Sequence, residues 1–73
     1  MDKGIKRDLI GYMEHRHDPG SFLKFVLEND LVNAIRCSDR EDLREIVCWC
    51  WHNLPGSCWG NKEKVSLWLK KGG

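Results

Sequence analysis

At 73 residues, with twelve Lys and Arg against eleven Asp and Glu for a formal charge of +1, the chain has room for one domain. It lacks the basic excess that strong nucleic-acid binders carry. A domain this small buries only about 60% of the surface its unfolded form exposes, so a deep enzymatic cleft is hard to build in one copy, and disulfides, a metal or self-association often supply the missing stability.

The elements follow in chain order as a single helical domain over residues 1–73, with frayed ends expected at 1–4 and 71–73. Ile5, Leu9, Tyr12 and Met13, with the stem of Arg16, share one face at three- and four-residue spacing, and this first helix ends in polar His15-Arg16-His17. Asp18-Pro19-Gly20-Ser21 reads as the opening of a second helix, with Asp18 as N-cap and Pro19 at the first helical position, where it needs no donor. Phe22, Leu23, Phe25, Val26, Leu27, Leu31, Ala34 and Ile35 give that helix a broad apolar face, which predicts the most buried element, with Glu28-Asn29-Asp30 as a point of bending or breakage. Ser38-Asp39-Arg40-Glu41 has the spacing of a capping box for a third helix, whose core stripe is Leu43, Ile46, Val47, Cys50 and Leu54. Pro55-Gly56 stops it. A loop with Ser57, Cys58, Trp59 and Gly60 leads to Asn61 as N-cap of a last helix, on which Val65, Trp68 and Leu69 share a face while Lys70 and Lys71 suit the C-terminal dipole. No alternating strand pattern occurs, so the expected fold is all-α, a compact bundle of about four short helices.

No segment reaches the roughly 18 apolar residues that a membrane-spanning helix needs, and charged residues follow Met1 where a leader would be apolar. The expectation is therefore a cytosolic protein without a membrane partner, in which the four cysteines stay reduced. Cys48, Cys50, His52 and Cys58 are zinc-ligand types, yet residues two apart on a helix point about 200° apart, so Cys48 and Cys50 cannot face one ion. Cys50 also lies on the core stripe, where a thiol behaves as a small apolar group. No metal and no cofactor are expected.

Trp49 and Trp51 face different sides of their helix, and Trp49 falls off the core stripe. Either the indoles pack on neighbouring elements, or Trp49, Trp51 and Trp59 serve as anchors of a subunit or partner interface, a role in which Trp is enriched. Arg36, Arg40 and Arg44 interleave with Asp39, Glu41, Asp42 and Glu45, a mixture that makes a solvated, ion-paired face and in which Arg40 and Arg44 can rim an interface. His15, Arg16, His17 and Lys24 surround the start of the second helix, where Gly20 and Ser21 present backbone N–H groups; cations beside a helix N-terminus form an anion site, for which Asp18 competes as a cap. Ser21-Phe22-Leu23-Lys24 matches the S-x-x-K string of serine acyltransferases, but without companion motifs it is read as chance. No histidine has a carboxylate or nucleophile placed with it by a recognisable motif, so no catalytic residue is assigned and the chain is read as a non-enzyme.

The run Pro19-Gly20-Ser21-Phe22-Leu23, then Val26-Leu27-Glu28-Asn29-Asp30-Leu31, Ile46-Val47, Asn53-Leu54-Pro55 and Cys58-Trp59-Gly60 with Glu63-Lys64-Val65 and Trp68 resembles a group of small helical accessory proteins encoded by tailed bacteriophages and prophages. The resemblance covers about Ile10 to Leu69. It implies a bacterial host cytoplasm and a protein that binds a host factor, such as an antiviral defence component, to inhibit or redirect it. Cys37, Cys48, Cys50, Trp49 and Trp51 depart from the shared pattern; Asn29, Asp30 and the Cys58-Trp59-Gly60 loop follow it.

The leading expectation is a homo-oligomeric, non-enzymatic binder of a bacterial host protein, acting by steric occlusion through a helical face. The alternative is an oligomeric sponge that sequesters a nucleotide signal of host defence at His15, Arg16, His17, Gly20, Ser21 and Lys24. A small DNA-binding regulator is the third reading, and near-zero net charge argues against a nucleic-acid partner.

Overall fold

Asp2 opens the first helix, its carboxylate accepting hydrogen bonds from the backbone N–H groups of Gly4 (2.7 Å) and Ile5 (3.2 Å), two of the donors that a helix start leaves free. The computed structural model describes the backbone of residues 1–72 and the side chains of residues 1–70, and among these it is all-α. The helices are α1 (Lys3–His15), α2 (Ser21–Leu27), α3 (Leu31–Cys37), α4 (Leu43–Asn53) and α5 (Lys62–Gly72). This capped turn falls within residues 1–4, where fraying was expected, and the Met1 amine is paired to Glu45. At the other end Lys71 and Gly72 belong to α5, and Gly73 lies outside the described residues.

Among the described residues five helices form where about four were expected, because the predicted second helix divides at Glu28-Asn29-Asp30. Asn29 takes the left-handed conformation (φ 61°), a state that Asn tolerates better than other residues carrying a Cβ. The Asp30 N–H then reaches back to the Phe25 carbonyl at 2.8 Å, which closes α2, while its side chain accepts from the Asn33 backbone N–H and from Asn33 Nδ2 (2.7 Å), which starts α3. The break turns the apolar face of α3 outward. Ala34 is buried, whereas Leu31, Val32 and Ile35 are exposed.

Two of the expected caps are displaced. Asp18 is not the N-cap of α2: its carboxylate accepts from the Gly20 N–H (2.9 Å), and Gly20 itself takes the cap position at φ 91°, with Ser21 as the first helical residue. Nor does Ser38-Asp39-Arg40-Glu41 form a capping box. Ser38 ends α3, and α4 begins only at Leu43, with Asp42 at its N-cap making no side-chain capping bond because both its oxygens are taken by the Arg40 guanidinium at 2.8 and 3.1 Å. Asn61, by contrast, caps α5 as its sequence predicts, accepting from the Lys64 N–H at 2.8 Å.

The apolar faces then meet. α2 packs most closely on α3 and also on α5. Leu9 and Tyr12 of α1, Val26 and Leu27 of α2, Ile46 and Cys50 of α4, Cys58 of the loop and Val65 of α5 all have 1% exposure or less. A Leu, Ile or Val fully buried in this way contributes about 1.5–3 kcal/mol. The predicted stripe of α4 is the observed one, and among the described residues no charged residue is buried. The body measures 32 × 22 × 19 Å.

Candidate functional site

The loop between α4 and α5 is fastened at three points. The Tyr12 hydroxyl donates to the Cys58 carbonyl, the Gly60 N–H donates to the Leu27 carbonyl at 2.7 Å, and the Cys58 N–H turns back to the Pro55 carbonyl at 3.1 Å. Gly60 sits at φ 117°, outside the range that residues with a Cβ adopt without strain, so the close approach to α2 requires glycine. These bonds fix Trp59 beside the C-terminal half of α4. Between them lies an open hollow of about 340 Å³, lined by Asn29, Val47, Trp51, Trp59, Gly60 and Lys64 among others.

Trp51 is 74% exposed, a large apolar area to leave in water, while Trp59 is partly buried. On α4 Trp51 continues an outer line with Arg44 and Cys48 at positions i, i+4 and i+7, all three exposed, while Val47 beside them packs partly against the core. The expected interface residues therefore separate into two groups. Arg44, Trp51 and Trp59 share this region of surface. Trp49 packs against the core, with its carbonyl held by Asn53 Nδ2 at 2.9 Å, and Arg40 is spent on the fold: it forks onto Asp42, reaches Asp2 at 3.4 Å and lies 6.0 Å from the Phe22 ring.

The expected anion site comes apart in a similar way. Arg16 takes a left-handed C-cap (φ 55°) and lays its guanidinium 4.2 Å from the centre of the Trp68 ring, with Nε buried and unpartnered. Lys24 pairs with Asp18 at 3.0 Å and lines a separate hollow with Glu28 and Lys62. His15 and His17 do come together, their rings 5.5 Å apart, on an open hollow of about 370 Å³. Arg7, Asp8 and Asp18 share its lining, so one permanent cation faces two carboxylates, a balance that does not favour an anion there. The Gly20 N–H hydrogen bond and then Lys24 hold the Asp18 carboxyl below its usual value, so it remains charged. Ser21 is exposed, with the Gly20 N–H already occupied by Asp18.

The cysteines divide by depth: Cys37 and Cys48 are exposed, Cys50 and Cys58 buried, and all four are free thiols. Burial, with the neighbouring Cys58 adding to it, pushes the Cys50 thiol up to about 12, and burial raises Cys58 as well. Such thiols stay protonated and unreactive, since the thiolate is the nucleophile and the ligand. Among the described residues no three His, Cys, Asp or Glu side chains converge as a metal site. No described helix is long and apolar enough to cross a membrane.

Two surface features lay outside the expected site. Cys48 completes the Trp51 line, edged by the partly buried Val47, and the i, i+4, i+7 spacing with Arg44 is the signal that would have found it. The exposed Leu31, Val32 and Ile35 follow from the break before α3, which their own spacing does not announce. No protein-family model matches the chain, and no curated protein or solved structure is found to be similar to it.

Proposed function

We propose that this is a non-enzymatic protein-binding domain whose docking surface is the outer face of α4 together with the hollow between Trp51 and Trp59. The observation that carries the reading is the exposure of Trp51, an indole left in water at the edge of a preformed hollow and beside a loop fastened at three points. An anchor of this kind docks with little loss of conformational freedom, because its surroundings are already ordered. Arg44 lies on the same face as a charge that favours some partners over others. In the setting implied by the resemblance to phage accessory proteins, the partner is a bacterial host protein, inhibited or redirected by occlusion of its own surface.

Affinity capture from bacterial lysate with the parent protein and with Trp51→Ala tests this reading. A host protein retained by the parent and lost from the variant, with helicity by circular dichroism unchanged, is the expected outcome. Identical sets of retained proteins would overturn it.

A further inference from the structure

The outer stripe of α4 differs at its two ends. Arg44 places a cation toward the N-terminus and Trp51 an exposed indole toward the C-terminus, seven residues and about 10.5 Å along the axis, with Val47 and Cys48 between them. When such a helix meets its own copy antiparallel, about a two-fold axis passing between residues 47 and 48, Arg44 of each copy stands over Trp51 of the other. Val47 meets Val47 and Cys48 meets Cys48 across the axis, as a self-complementary interface requires. Arginine over an indole is a favourable cation–π pair, and the molecule already uses one internally, Arg16 over Trp68.

The flanking charges select the same orientation. Glu41 is exposed on the turn before α4, and Lys64 lines the hollow beside Trp51, so antiparallel pairing brings Glu41 of one copy toward Lys64 of the other. Antiparallel helix dipoles also attract. A parallel arrangement would instead set Arg44 against Arg44 and leave both indoles without a cation.

We propose that α4 pairs antiparallel with α4 of a second copy, Arg44 over Trp51 in both directions, so that the free protein is a homodimer. The inference rests on the reading of this face as a docking surface and supplies its regulation: the dimer covers Trp51, and a partner protein must displace one copy to reach it.

Sedimentation equilibrium across the micromolar range, in a Cys37→Ser background so that Cys48 is the one exposed thiol among the described residues, provides the test. The expected result is a concentration-dependent dimer, weakened by about thirtyfold or more in Trp51→Ala and weakened in Arg44→Glu, with helicity unchanged in both. Diamide, which accepts the two protons and two electrons released by a pair of thiols, then links two chains through Cys48, and Cys48→Ser removes the link. A protein that stays monomeric, or a dimer indifferent to Trp51→Ala and unlinked at Cys48, overturns the pairing. The two readings fail separately: a monomer that still captures a host protein through Trp51 overturns the dimer alone, whereas a Cys48-linked dimer that captures nothing upholds the pairing and overturns the docking reading.

Discussion

Asn29 decides the course of the chain more than its neighbours do. Its left-handed backbone ends α2, frees the Asp30 N–H to bond the Phe25 carbonyl and directs α3 along a new axis. A β-branched residue is strained there, so Asn29→Val is expected to cost about 1–2 kcal/mol, while Asn29→Gly keeps the turn at little cost. Urea melts of the two variants against the parent check this, and equal losses would show that the side chain rather than the backbone angle matters. The sequence marks Glu28-Asn29-Asp30 as a break but not the angle at which α3 leaves it, because a periodic pattern of Leu31, Ala34 and Ile35 records spacing along one helix and not the orientation of two. Arg16 is similar. Its stem falls on the α1 face by periodicity, yet the cation–π contact to Trp68 depends on where a helix more than fifty residues later comes to rest.

At the scale of elements, the stripes of α1, α4 and α5 were legible because period 3.6 and burial coincide, and Asn61 was legible because its side chain has no competing partner. Asp18 misled because its carboxylate found partners nearer than the expected helix start, the Gly20 N–H and Lys24, and Ser38 misled because α3 runs up to it and α4 starts only at Leu43, with Asp42 held by Arg40. These contacts, with the Ile5 and Gly4 N–H groups on Asp2, hold all three carboxyls below the ordinary aspartate range. Below about pH 5 the unfolded chain therefore binds more protons than the folded one, so the stabilisation is present above the unfolded value near 3.9 and is lost as pH falls through the lower folded values. Melting temperature is expected to be flat from neutral pH to about pH 5 and to drop below about pH 4. In Asp2→Asn, whose side chain still caps, the acid limb becomes shallower; an unchanged limb would mean that Asp2 titrates alike in both states.

Over the whole molecule, the residues expected at the interface and at the anion site are divided among different places, since residues adjacent in sequence were sent to different jobs. Arg40 went to the fold and Arg44 to the surface; Arg16 went to Trp68 while His15 and His17 stayed together. The thiols offer a reading of global cooperativity. Cys37 and Cys48 are expected to react at once with an aromatic disulfide reagent, and Cys50 and Cys58, fully buried in the core, only at the rate of unfolding. Rapid reaction of all four would mean that the α4–α5 loop opens locally.

Tyr12 stands at the meeting point of early and late sequence: its ring lies 6.5 Å from that of Trp68, its carbonyl accepts from Trp68 Nε1 at 2.8 Å, and its hydroxyl holds Cys58. Both partners lie far along the chain, 46 and 56 residues after Tyr12, so two long loops must close before α1 is locked in place, and until they do Leu9 and Tyr12 present an apolar face that chaperones can recognise.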